Sequence, residues 1–278
     1  MPPSGTTEQR SLTHWAEDGR AGMEAFYALA AEDYRQMVAA RDWATDLRGH
    51  ATDGRVRVLD VACGSGKFPA ELIRQGLAAA MGDVRVEVDL LDPSPFSIAE
   101  ARSVLAAPFA VHAEHEVRIQ DLPAVVGGFD VAWATHALYA VPPDEIGAGI
   151  ARMVAALRPG GFGAIVHATS ASHYLRFAEA FRSTFGAGGA PFTGAAHVRR
   201  ALTAAGATPT VTTLRYEVAH PDRAVVEGFL QRCVFDDSVS LERMEAEGAV
   251  GAYLSGCLGD DGYRFGQVVD VITWEAGA

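Results

Sequence analysis

The chain has 278 residues, 49% of them hydrophobic, and a formal net charge of −12. That length suits one medium-sized domain with an accessory segment, able to bury a full core without disulfides or metals, and the acidic balance argues against a nucleic-acid partner. Three cysteines with no C-x-x-C pair suggest a reducing compartment and argue against a zinc site, and with no signal-like start or apolar run of transmembrane length the chain reads as cytoplasmic, with no membrane partner.

Residues 1–10 are polar, with Pro2, Pro3 and Gly5, and are expected to form a disordered N-terminus. Residues 11–50 carry Leu12, Trp15, Met23, Phe26, Tyr27, Tyr34, Met37 and Trp43 at mostly helical spacings, which predicts a helical lid that caps a substrate. From residue 51 strands and helices alternate. Strands are expected at 56–60, 86–91, 116–119, 129–134 and 162–167, with helices at about 68–80, 96–106 and 143–157. Such alternation specifies a parallel sheet with helices on both faces. His112 and His115, among Glu114 and Glu116, read as a solvated loop before the third strand. Residues 170–208 predict two helices separated by Gly186-Ala187-Gly188-Gly189. A strand near 209–219, helices at about 222–236 and 240–254 and a last strand over 267–274 follow. The expectation is an α/β domain over 51–278, built on a mostly parallel seven-stranded sheet, with substrate-binding elements in 170–260.

The most informative segment is Val56-Arg57-Val58-Leu59-Asp60-Val61-Ala62-Cys63-Gly64-Ser65-Gly66. An apolar strand runs into a turn of small residues, where Gly64 and Gly66 can adopt positive φ and leave the backbone open to a ligand. About 30 residues on, Val86 to Asp92 reads as the next parallel strand, ending in an acid followed by Pro93 and Ser94. A carboxylate there can accept both hydroxyls of a ribose. A dinucleotide fingerprint needs a third glycine, and Pro69 stands in its place.

This combination resembles the class I S-adenosylmethionine-dependent methyltransferases, whose first motif looks like Asp60-x-Ala62-Cys63-Gly64-Ser65-Gly66. Asp92 matches that family's ribose-binding acid, and Leu157-Arg158-Pro159-Gly160-Gly161 its turn before the fifth strand. The resemblance implies a Rossmann-like fold with an N-terminal helical lid, S-adenosyl-L-methionine as cofactor, no metal, a small-molecule acceptor, and a monomer or homodimer. It places Asp60, Ala62, Gly64, Gly66, Asp92, Pro93, Ser94 and Thr135 around the cofactor, with Gln120 or Asp121 at the adenine amino group.

His136 and Tyr139 directly follow the fourth strand, at the ligand edge of such a sheet, and are the candidate catalytic residues. Unlike an amide, a histidine near neutrality can also remove a proton. Across most of the chain the layout is similar to histamine N-methyltransferase and its relatives. His136 falls on that family's substrate-contacting glutamine, Tyr139 on the first of two tyrosines, and Ala140 on the second. The same resemblance puts Asp33 near the amine-binding glutamate, with Glu32 as the other possibility, and Phe177, Phe229 and Gln267 in the pocket; Tyr27 and Tyr34 join them from the lid. The implied activity is methyl transfer to a nitrogen or carbon of a small aromatic or heteroaromatic molecule of arylethylamine, imidazole or indole type, in natural product biosynthesis. A C-methyltransferase acting on a prenyl or keto-acid carbon and a non-catalytic cofactor-binding subunit are the alternatives.

Overall fold

The computed structural model describes residues 5–186 and 191–277. Helix α1 (Thr7–His14) opens with a capping box, in which the Thr6 side chain accepts from the Gln9 N–H and the Gln9 side chain accepts from the Thr6 N–H. The chain is therefore ordered from Gly5, with Thr7 and Arg10 buried, and not disordered through residue 10; residues 1–4 lie outside the described residues. Helices α2 (Arg20–Ala39) and α3 (Trp43–His50) follow.

The sheet and its covering helices run β1 (Arg55–Val61), α4 (Lys67–Arg74), α5 (Leu77–Met81), β2 (Arg85–Leu91), α6 (Pro95–Val104), β3 (Phe109–His115), β4 (Phe129–Thr135), α7 (Ile146–Ala156) and β5 (Leu157–Ala168). The remainder is α8 (His173–Phe185), α9 (Ala195–Ala204), β6 (Thr210–His220), α10 (Arg223–Val234), α11 (Leu241–Ala246), α12 (Gly248–Ser255), β7 (Leu258–Gly259) and β8 (Gly262–Glu275). The sheet order is β3-β2-β1-β4-β5-β8-β6. The first five strands are mutually parallel, while β8 is antiparallel to both β5 and β6. An eighth strand, the two-residue β7, pairs with the start of β8 and was not expected.

Other departures have local causes. The helix expected over 68–80 is broken at Gly76, whose φ of 93° is left-handed. The helix expected over 240–254 breaks at Gly248, with φ 52°. The third strand lies at 109–115, not 116–119. It is an edge strand with one face exposed, so its apolar content is too low to stand out in the sequence. His112 and His115 are therefore strand residues and not a loop, and both bond to Asp89 on β2, at 2.8 and 2.9 Å. Of the Gly-rich turn after α8, Ala187, Gly188 and Gly189 lie outside the described residues.

Side-chain alternation sends Val56 and Val58 to one face of the sheet and Leu59 and Val61 to the other. The first face packs on α3 and α4: Trp43 meets Phe68 edge-on at 5.0 Å and Trp133 at 6.5 Å. Residues 11–50 are thus not a separable lid, because α3 and the end of α2 belong to the main core. A third cluster joins Leu29 and Ala30 of α2 to Phe177 and Phe181 of α8, Phe229 and Leu230 of α10, and Phe265 of β8. Each such side chain, fully buried, contributes about 1.5–3 kcal/mol. Among the described residues no helix is long and apolar enough to cross a membrane.

Candidate active site

The carboxyl ends of β1, β2 and β4, with the turn after β3, open into one cavity roofed by α1 and the middle of α2. Strand order reverses between β1 and β4, and open α/β sheets bind ligands at such a crevice. In the β1–α4 turn Ala62 and Gly64 both have φ 51°, and a Cβ added to Gly64 would meet nothing within 4 Å, so the backbone there faces open space. Gly66 serves another purpose. Its Cβ would lie 2.9 Å from the Ala101 Cα of α6, and the residue does not line the cavity; its expected cofactor contact is replaced by helix packing.

Asp92 organises the rim. Its Oδ2 accepts the Gly64 N–H at 3.1 Å and its Oδ1 accepts the Ser94 N–H at 2.9 Å, leaving one lone pair on each oxygen for a ligand. Burial pushes this carboxyl up to about 6. Asp60, deeper at the end of β1, is pushed up to about 8 by burial, and its Oδ2 is buried without a partner. Ala62, Pro93, Ser94 and Thr135 line the same wall. Gln120 does so too: its Nε2 donates to Glu145 at 2.8 Å, and its Oε1 is buried without a partner, an acceptor suited to an exocyclic amino group. Asp121 does not reach the cavity, because it pairs with Arg118 at 2.6 Å on the solvent side. The orphaned oxygens of Asp60 and Gln120, with the open backbone at Gly64 and the double-capped Asp92, fit an adenosyl group.

Beyond Thr135 the wall becomes aromatic. His136 has φ 51°, a conformation uncommon for a residue with a Cβ, and its N–H is held by the Val166 carbonyl at 2.9 Å. Its Nδ1 lies 2.5 Å from the Tyr139 hydroxyl, whose oxygen also accepts the Ala168 N–H at 3.2 Å. Where the phenol donates to Nδ1 the neutral ring carries its own proton on Nε2, and where Nδ1 donates to the phenol Nε2 is an acceptor. That nitrogen is buried without a partner. Burial, with a smaller contribution from His167, pushes the imidazole down to about 3. The expected titration of His136 near neutrality is therefore absent, because the site denies the cation its hydration.

Asp33 lines the cavity from α2, where the Tyr174 and Tyr216 hydroxyls donate to it at 2.5 and 2.7 Å, and burial pushes it up to about 7. Glu32 does not line the cavity; it pairs with Arg35. Tyr27 and Tyr34 are also in place, with the Tyr27 hydroxyl 3.0 Å from Ser65 Oγ. Three expected pocket residues are elsewhere. Phe177 stacks on His173 at 5.3 Å and Phe229 under Phe26 at 5.6 Å, both inside the third core cluster, and Gln267 is buried against Ser172 at 2.5 Å. In their stead Trp15, Phe26, Tyr174, Phe192, Arg232 and Phe235 form the wall. The helical phase of α10 turns Phe229 inward, and Phe235, at φ 52° just past the helix end, is placed on the cavity wall instead.

Residues 58–161 match the family described as methyltransferase domain. The fold is the Rossmann-like one of the class I methyltransferases. The structure is similar to a putative methyltransferase from Bacillus halodurans, at 14% identity and a TM-score of 0.58, over 85% of this chain and 99% of that one. It is also similar to the YcgJ protein from Bacillus subtilis, at 11% identity and TM-score 0.56, over 89% and 99%. A third similar structure is magnesium protoporphyrin IX methyltransferase from Synechocystis with bound S-adenosylhomocysteine, at 13% identity and TM-score 0.53, over 95% and 99%. No curated protein matches this chain in sequence.

The three cavity carboxyls give a pH signature. Asp33, Asp60 and Asp92 are all raised from an ordinary 3.8, to about 7, 8 and 6. A carboxyl with a raised pKa binds its proton more tightly folded than unfolded. The resulting stability is whole below about pH 4 and is lost as the pH climbs through each folded value, at about 1.4 kcal/mol per unit per group. The ligand-free protein should therefore lose thermal stability from about pH 4 to about 8, and Asp33→Asn should make the fall shallower between about pH 4 and about 7. Melting curves of the two proteins across that range check it; matching slopes would remove Asp33 from the account.

Proposed function

We propose that the protein is an S-adenosylmethionine-dependent methyltransferase that methylates a nitrogen or carbon nucleophile of a small aromatic or heteroaromatic molecule, of arylethylamine, imidazole or indole type, in natural product biosynthesis. The observation that carries this reading is the composition of the inner wall, where Trp15, Phe26, Tyr34, Tyr139, Tyr174 and Phe235 surround two polar positions, Asp33 and His136. Within the methyltransferases, a likeness to the histamine N-methyltransferase group is supported by Asp33, His136 and Tyr139 all lining the cavity; Phe177, Phe229 and Gln267 lend it no support. Ala140, on the wall where that group has a second tyrosine, leaves room for a ring larger than imidazole.

When bound, S-adenosylmethionine supplies a methyl group on a sulfonium, and the transfer is an in-line displacement by the acceptor. The protein's contribution is alignment and exclusion of water. Asp92 would hold the ribose hydroxyls, and Gln120 Oε1 the adenine amino group. His136 forms, through Nε2, the hydrogen bond that fixes the acceptor's orientation, and Tyr139 fixes the ring that does so. Asp33, ionised above about pH 7, pairs with an ammonium or with the cation formed as a neutral nitrogen is methylated, and the aromatic faces favour that charge.

A screen of histamine, tryptamine, indole and phenol with labelled cofactor, the methylated atom being located by NMR, tests the reading. Methylation of aromatic amines or indoles supports it; turnover confined to non-aromatic acceptors would reject it. The cofactor half is tested by Asp92→Ala, which should weaken S-adenosylhomocysteine binding roughly 10- to 100-fold by calorimetry. Unchanged affinity in the folded variant would dismiss the ribose assignment.

A further inference from the structure

Arg232, on α10, has no place in the scheme above. Its side chain stands against the cavity at only 4% exposure, with the guanidinium carbon 5.1 Å above the Trp15 ring. Nη2 donates to the Gly19 carbonyl at 2.6 Å, while Nη1 is buried and has no hydrogen-bond partner. No ion pair within 4 Å joins Arg232 to an acid among the described residues. Asp236 Oδ1 accepts from Ser238, and Asp237 acts on the guanidinium only at longer range. Burial pulls the group down to about 10, so it remains a cation at neutral pH.

A buried, charged guanidinium with an empty donor is costly to keep unless something completes it. We propose that Arg232 is a carboxylate-binding residue of the cavity, with Nη1 as the donor and Trp15 as the flank that orients the guanidinium plane. A carboxylate is the fitting partner because its two oxygens match the guanidinium fork, and the same low-dielectric surroundings that make the free cation expensive strengthen the pair. Two ligands of the enzyme can carry one, the amino-acid end of the cofactor and the acceptor itself. In the second case the acceptor is an aromatic acid or amino acid; that arm rests on the proposed function, whereas the first does not.

Two substitutions remove the interaction from opposite sides. Arg232→Met deletes the charge and keeps the length. Gly22→Ala leaves the arginine in place but puts a methyl 2.4 Å from its Nη2, so the flexible head must move, while alanine favours helix α2 and keeps the protein folded. Calorimetry on both variants and the parent uses S-adenosylhomocysteine and 5′-methylthioadenosine, which lacks the carboxylate. A further titration of the S-adenosylhomocysteine complex uses indole-3-acetate and indole-3-acetamide.

If the carboxylate belongs to the cofactor, both variants lose roughly 10- to 100-fold for S-adenosylhomocysteine and nothing for methylthioadenosine. If it belongs to the acceptor, cofactor affinity holds, the parent prefers indole-3-acetate to its amide at least tenfold, and both variants lose that preference. The proposal is overturned if the variants match the parent in both titrations, and equally if the losses are the same for ligands with and without a carboxylate. Should Arg232→Met fail to fold, Gly22→Ala alone decides.

Discussion

Replacing His136 by alanine should lower kcat roughly 100-fold while leaving affinity for S-adenosylhomocysteine nearly unchanged. The size follows from positioning, since a reactant displaced by about 1 Å from its line of attack loses on the order of 100-fold. Proton removal would be the alternative source of such a loss, at about 10²–10⁴-fold. The environment of His136 speaks for positioning: burial pushes its ring down to about 3, and the Tyr139 hydroxyl occupies Nδ1, so Nε2 is the nitrogen left to meet the acceptor. Glutamine supplies an amide of comparable reach, and His136→Gln should therefore recover most of the lost rate. Tyr139→Phe should lower kcat as well, by releasing the ring. Steady-state kinetics with the acceptor found by screening measures all three variants. A His136→Gln enzyme as slow as His136→Ala would return the residue to proton transfer, and full activity in His136→Ala would dismiss it from the reaction.

Removing residues 1–45 should leave a chain that does not fold. The cut deletes Met37, Val38, Trp43 and Ala44, each at most 9% exposed in the core cluster beneath the sheet. Truncating a buried tryptophan costs about 3–5 kcal/mol and a buried methionine about 2–5 kcal/mol. Together they consume most of the roughly 5–15 kcal/mol by which a domain is stable. A cut after residue 16 spares that core and takes only α1 and Trp15, along with the ion pair between Glu8 and Arg118 that fastens the roof at 3.2 Å. That shorter protein should fold, and its turnover should collapse because the cavity is no longer closed to water. Circular dichroism melts separate the cases. A cooperative transition in the 46–278 chain would show that α2 and α3 are detachable after all.

The sheet could be read from sequence wherever strands are buried on both faces. Val58, Leu59 and Val61, or Val131 and Trp133, leave no doubt about a parallel strand. Edge strand β3, three of whose seven residues are polar and whose outer face is exposed, carries no comparable signal and lies several positions before the segment that reads as a strand. Helix breaks were missed for a different reason, because a single glycine such as Gly76 or Gly248 weakens a periodic pattern without ending it.

In the candidate site, the residues legible in advance stand at strand ends: Asp60, Asp92, Thr135 and His136 are placed by the sheet itself. What the sequence could not give was the phase of helices laid across it. Phe229 and Phe235 are six positions apart on one segment, and which of them meets the cavity depends on where α10 ends. Arg232 was invisible for a related reason, since an isolated arginine in a helix reads as solvated until packing is known. Gly64 and Gly66 looked alike in the motif, yet only the first has room before it.

The position of β8 bears on how the molecule is made. This strand comes later in the sequence than every other, yet it sits between β5 and β6, and β6 has no other neighbour in the sheet. While a ribosome is still extending the chain, the parallel half can assemble, but β5 presents a bare edge and β6 has nothing to pair with. Both are templates for another nascent chain until residues 262–275 emerge and thread between them. Polysomes translating this message would be where misassembly is most dangerous, and a chaperone that shields strand edges would matter more here than for a sheet closed in sequence order.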